Sequence, residues 1–174
     1  MDQERADILI NACFESLEKA SELLDEDHSL LFEITGLGET PLHYLAVENQ
    51  IDAVKLLYSK GAELNTINEC AGTPLSEAAS LGHIDIVKFL LENGASINQV
   101  PDGDPIIHEA VRSGNPEIVD LLVRYGADID ATDSIGQTPL HESVSEDERL
   151  EVSKYLVEMG VNIDAMDGFN THFH

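Results

Sequence analysis

The stretch "GTPLSEAASLGHIDIVKFLLENGASIN", Gly72 to Asn98, decides the architecture, because its parts recur along the chain. Its "TPLS" at Thr73–Ser76 returns as "TPLH" at Thr40–His43, "PIIH" at Pro105–His108 and "TPLH" at Thr138–His141. The fourth residues fall at 43, 76, 108 and 141, every 32 or 33 positions. A second marker keeps step: "GAELN" from Gly61, "GASIN" from Gly94, "GADID" from Gly126 and "GVNID" from Gly160. Between the markers lie "DAVKLL", "DIVKFLL", "EIVDLLV" and "EVSKYLV". Self-similarity at this period marks a solenoid, in which each unit is too small to bury its apolar face alone and must stack on its neighbours.

Within a unit the local chemistry reads clearly. Thr73 stands at an N-cap and Pro74 at the first helical position, where its missing N–H costs nothing. Leu75 and Ala79, like Leu42 and Ala46, are spaced i to i+4 and form one apolar side of a short inner helix. A turn follows at Leu81–Asp85, then an outer helix presenting Ile86, Val87, Leu90 and Leu91 inward. Gly94 and its equivalents end that helix, where a positive φ is wanted. The connections "INECAG" and "IDATDSIG" carry turn residues.

These motifs resemble the ankyrin repeat, strongly over residues 38–174 and more weakly before that. The resemblance implies an all-α solenoid of stacked helix-turn-helix units with projecting β-hairpin loops. It implies repeats at 38–70, 71–102, 103–135 and 136–168, forming with the rest a single domain over 1–174. Residues 1–37 are then a divergent capping repeat, since Leu9, Leu23 and Leu31 lie 33 positions before Leu42, Leu56 and Leu64. Residues 169–174 begin a truncated further repeat or close the C-terminal cap. The family's function is protein–protein interaction through the concave groove and hairpin tips, without cofactors, here by a monomer. Several positions depart from the pattern. Ser76 replaces the motif histidine, Pro105 occupies the cap position itself, "INQVPDGD" is one residue short and "SVSEDERLE" one long.

Composition narrows the partner. The chain has 174 residues, 43% of them apolar, enough for a core. Nine Lys and Arg oppose 34 Asp and Glu, a formal net charge of −25 that repels nucleic acid and anionic lipid and attracts basic protein surfaces. Cys13 and Cys70 lack metal-ligand spacing and read as reduced thiols of a cytoplasmic protein. The N-terminus is acidic where a secretory signal is basic, and no apolar run reaches the roughly 20 residues of a membrane span.

His–Glu steps at His108–Glu109 and His141–Glu142 look like halves of a zinc-hydrolase motif, but position i+4 holds Arg112 and Ser145. The resemblance assigns His43, His108 and His141 to Thr and to neighbouring-loop backbone groups. No nucleophile, phosphate loop or convergent constellation rises above the repeat pattern, so neither an enzyme nor a metal site is expected.

The carboxylates are more informative. Immediately after the motif come Tyr44, Glu77, Glu109 and Glu142, a register that the resemblance places along the concave groove. Segments 31–50, 61–83, 94–111, 126–148 and 155–174 contain no Lys or Arg, while Lys55, Lys60, Lys88, Arg124 and Lys154 fall on outer helices. The expected partner surface therefore adds Glu48, Glu69, Asp102, Asp104 and Asp133 at the rim, with Val47, Leu81 and Arg112 within it. Its expected partner is a basic protein. An acidic inhibitor or immunity-type protein blocking a basic enzyme such as a nuclease, or the scaffold part of a larger effector, is the alternative. Replacing Glu77, Glu109 and Glu142 by Lys is expected to abolish partner capture without lowering the melting temperature.

Overall fold

The structure, a computed structural model, describes residues 2–98, 104–144 and 149–165. The first pair of helices is α1 (Asp2–Glu15) and α2 (Leu17–Glu26), followed by a 3-10 turn over His28–Phe32. Four further pairs are α3 (Pro41–Val47) and α4 (Ile51–Ser59), α5 (Pro74–Ser80) and α6 (Ile84–Glu92), α7 (Ile106–Arg112) and α8 (Pro116–Arg124), and α9 (Pro139–Ser143) and α10 (Leu150–Glu158). The inner helices α1, α3, α5, α7 and α9 pack in chain order, and the outer helices α2, α4, α6, α8 and α10 stack behind them.

Three inner helices open on reciprocal capping boxes, Thr40 with His43, Thr73 with Ser76 and Thr138 with His141. Ser76 thus keeps the cap without the ring: its hydroxyl accepts from the Thr73 N–H at 2.8 Å and donates to the Thr73 carbonyl at 3.0 Å. Each such cap contributes about 1 kcal/mol. The third unit differs, because Pro105 at its cap has neither an N–H nor a capping side chain.

The apolar ladder runs as the spacing predicts. Leu42 and Leu75 are fully buried, with Ile107 and Leu140 at 1% and 5% exposure, and the outer-helix partners Leu57, Leu90, Leu122 and Leu156 are also fully buried. Burying one such side chain is worth about 2 kcal/mol, so the stacking interfaces carry the fold. In α1, Leu9 takes the place of Leu42 and Cys13 that of Ala46; burial pushes the Cys13 thiol up to about 11 and leaves it inert at neutral pH.

Outer helices α4, α6 and α8 end at Gly61, Gly94 and Gly126, whose φ values of 96°, 92° and 98° admit glycine far more readily than other residues. The projecting loops are turns; among the described residues they form no strands, a difference from the hairpin expectation. Each turn closes on itself: Thr35, Asn68 and Asp133 donate their N–H to the carbonyls of Glu39, Gly72 and Gln137 at 2.9, 3.0 and 2.9 Å. With the short side chains of those same residues accepting from the turn's own N–H groups, little backbone is left for a strand ladder. Successive turns still touch, through Glu69 N–H to the Leu37 carbonyl at 3.2 Å and Ser134 N–H to Asp104 Oδ1 at 3.1 Å.

Candidate functional site: a groove with two chemistries

The inner helices and turns enclose a groove whose centre is an open cleft of about 340 Å³ lined by Val47, Cys70, Gly72, Ser76, Glu77, Ser80, Leu81 and Glu109. Of its two half-buried acids, Glu109 is paired with Arg112 and Glu77 is not. The Glu77 carboxylate accepts from the Asn68 amide at 2.5 Å, while Asn68 Oδ1 accepts from the Cys70 and Gly72 N–H groups at 3.0 and 2.8 Å. A Cβ at Gly72 would lie 2.5 Å from Glu77 Oε1, so the glycine leaves the carboxylate its place. Among the described residues no Lys or Arg pairs with Glu77. Burial pushes its proton affinity up; the Asn68 bond offsets part of this, and Glu39 and Glu109 reinforce it.

One rung onward the same register behaves differently. Arg112 reaches Glu142 Oε1 through Nε at 2.7 Å, Glu109 Oε1 through Nη1 at 2.6 Å and Asp104 Oδ2 through Nη2 at 2.9 Å. Behind it His108, fully buried, has Nδ1 at 2.8 Å from Glu142 Oε2 and Nε2 at 2.9 Å from the Ala131 carbonyl. A carbonyl only accepts, so Nε2 carries a proton; a further proton lies between Nδ1 and the carboxylate. Burial pulls the His108 imidazolium down, but the Glu142 and Ala131 hydrogen bonds outweigh it and raise the pKa. Glu142 shows the mirror result: burial pushes it up, and His108 and Arg112 bring it below the usual carboxylate range. Three carboxylates and two cations thus clamp α7 to α9.

The clamp follows from Pro105. Elsewhere the motif histidine is spent on its own cap: His43 Nδ1 accepts from the Thr40 N–H at 3.2 Å while its Nε2 meets the Gly72 carbonyl at 3.2 Å. Pro105 has no N–H to offer, so His108 Nδ1 turns to the next unit. The assignment of His108 to a threonine is corrected accordingly. The expectation that all three glutamates can become Lys without loss of stability is corrected too, since a Lys at 142 would face Arg112 and His108.

Other expected contact residues divide the same way. Tyr44 and Val47 are half-buried, and Glu48, Glu69 and Leu81 are exposed beside the cleft. Asp133 accepts from Ile135 N–H at 3.0 Å and Gln137 N–H at 2.7 Å within its own turn, and Asp104 serves Arg112 and Ser134. Asp102 lies outside the described residues. Sequence reasoning passed over Phe14, 48% exposed and edge-on to Tyr44 at 6.4 Å between ring centroids, although it stands 33 positions before Val47. It also passed over the last residue of the glycine marker: Asn65 and Asp130 accept from Ser96 and Asn162 N–H at 2.8 and 3.1 Å, tying successive units.

Among the described residues no cluster of three His, Cys, Asp or Glu side chains has metal-binding geometry, and no helix is long and apolar enough to cross a membrane. A family model described as ankyrin repeats in three copies matches residues 8–101 and 75–167. The chain belongs to the ankyrin repeat family. Over 65 residues it is 49% identical to human "Protein phosphatase 1 regulatory subunit 27", covering 37% of this chain and 42% of that one. Over 62 residues it is 40% identical to mouse "Ankyrin repeat and SOCS box protein 6", covering 35% and 15%. Over 137 residues it is 32% identical to the Caenorhabditis elegans "Transient receptor potential cation channel subfamily A member 1 homolog", covering 78% and 11%. The chain therefore spans less than half the length of each of these relatives. Ankyrin repeats are protein-interaction modules, and such proteins are typically binding scaffolds without enzymatic activity.

Proposed function

We propose that this chain is a non-enzymatic, cytoplasmic binding module that holds a basic protein segment in the groove centred on Glu77. The observation that carries the reading is geometric: the half-buried Glu77 carboxylate lines the open cleft with the Asn68 amide as its donor and no described Lys or Arg on it, while burial first, and Glu39 and Glu109 after it, push its proton affinity up. A partner's Lys or Arg supplies the missing cation, while the formal charge of −25 speeds its approach. Exposed Glu48 and Glu69 extend the same field along the rim. Glu109 and Glu142 contribute through the balance they strike with Arg112. A regulatory subunit among the relatives fits a chain whose role is to bind another protein.

The test is capture of partners from a native lysate at low and high salt by the natural chain and by Glu69→Lys with Glu77→Lys. Retention of basic partners at low salt, lost at high salt and in the double variant, supports the reading. Equal capture by the double variant sinks it.

A further inference from the structure

The two ends of the groove differ in chemistry, and this bears on what its partner must carry. In the helical register that faces the groove stand Phe14, Val47, Ser80 and Arg112, one from each successive inner helix. The first half is apolar and open: Phe14 is edge-on to Tyr44, and Leu81, 51% exposed, lines the Glu77 cleft together with Val47. The second half is filled by Arg112, whose three ion pairs would have to break before a ligand could use those carboxylates.

Neither chemistry suffices alone in the open half. An apolar ligand would desolvate the Glu77 carboxylate without compensating it, which is costly. A purely charged ligand would leave Phe14 and Leu81 in water and gain encounter rate more than affinity. A long basic side chain satisfies both at the cleft, because its methylenes cover Val47 and Leu81 while its head meets the acid.

We propose that the groove reads a two-part signal: an aromatic or aliphatic side chain seated on the Phe14–Tyr44 edge, and a Lys or Arg seated beside Glu77 between Val47 and Leu81. The proposal rests on the reading of the groove as the partner-binding surface and adds the side-chain grammar and its direction. Inner helices pack about 8–10 Å apart, so the two anchors sit roughly 10–15 Å from each other. In a helical ligand a spacing of seven residues spans about 10.5 Å and meets that distance.

The test uses labelled alanine-based helical peptides of equal net charge and the full chain, followed by fluorescence anisotropy at low salt. One peptide carries Phe and Arg seven residues apart; in one control Phe is Ala, and in another Arg is moved to the opposite face. The paired peptide is expected to bind about five- to tenfold tighter than either control, the scale of one aromatic contact or one well-placed charge. Phe14→Ala should erase the advantage over the Ala control, and Leu81→Gln, a second exposed site, should weaken the advantage over the displaced-Arg control. Circular dichroism melts of both variants verify folding. Equal binding of all three peptides, unchanged in the variants, overturns the two-part signal and leaves the acidic-groove reading standing. No binding of any peptide overturns both.

Discussion

Glu77 and Glu142 occupy the same place after the same motif, yet one lines an open cleft with no described Lys or Arg on it and the other is held by Arg112 and His108. Two neighbouring positions account for the difference. At the register of Ser80 the third unit has Arg112, and at the register of Thr73 it has Pro105. The first supplies a cation for the carboxylates; the second releases His108 from its cap so that it turns to Glu142. A repeated scaffold thus gives equivalent residues different surroundings through what the adjacent unit presents.

The contrast can be broken most severely at Arg112. Arg112→Ala takes from Glu142, whose side chain is only 12% exposed, one of its two cations and leaves three acids facing each other across the place of the guanidinium. A loss of about 2–3 kcal/mol is expected, below the range for a fully buried pair because the Arg112 side chain is itself 34% exposed. Urea unfolding checks it, and native-state hydrogen exchange should show the α9–α10 pair opening first.

The complementary change transplants the clamp. Ser80→Arg places a guanidinium in the register of Arg112, with Glu77 and Glu109 where Glu109 and Glu142 stand one rung later. It should stabilise the chain by about 1 kcal/mol and weaken binding of basic peptides more than tenfold, read by melting and anisotropy.

Acidity offers a sharper cut. His108 has a native pKa above its unfolded value, so its contribution is full below about pH 6.5 and fades as pH rises through the elevated native value. Glu142 is depressed, so its contribution is present above about pH 4.3 and fades as pH falls towards its native value. The clamp is expected to be strongest between these limits. His108→Asn should flatten the alkaline limb of a melting-temperature profile; an unchanged limb would remove His108 from the clamp's proton balance.

The smallest effect belongs to Glu77 itself. Its raised native pKa means that the folded state holds its ionised form at a cost, most of it from burial. Glu77→Gln should stabilise the chain by about 0.5 kcal/mol at neutral pH while weakening basic partners, the mark of a residue retained for binding. A fall in melting temperature would assign Glu77 to the scaffold.

How far the fold and the groove could be read in advance varied with the range of the interactions. The caps, the Leu42–Leu75 ladder and the glycines closing the outer helices are local or strictly periodic, so the pattern exposed them. The groove register of Tyr44 and Glu77 follows from the ankyrin resemblance, and Val47, Glu77 and Leu81 line the cleft. The clamp escaped because its bonds span 30 and 34 residues and depend on Arg112, a residue without a counterpart in the other units. Phe14 escaped because its unit diverges from the motif, although its register position was available.

The sequence by itself determined the solenoid, its period and the inner and outer faces, since helix capping and apolar spacing act within a few residues and repeat. Only the tertiary structure decided which of the acids after the motif are paired with Arg112 and His108. Ionisable groups half-buried between two rungs take their state from whatever charge stacking brings within about 3 Å, and no periodicity records that.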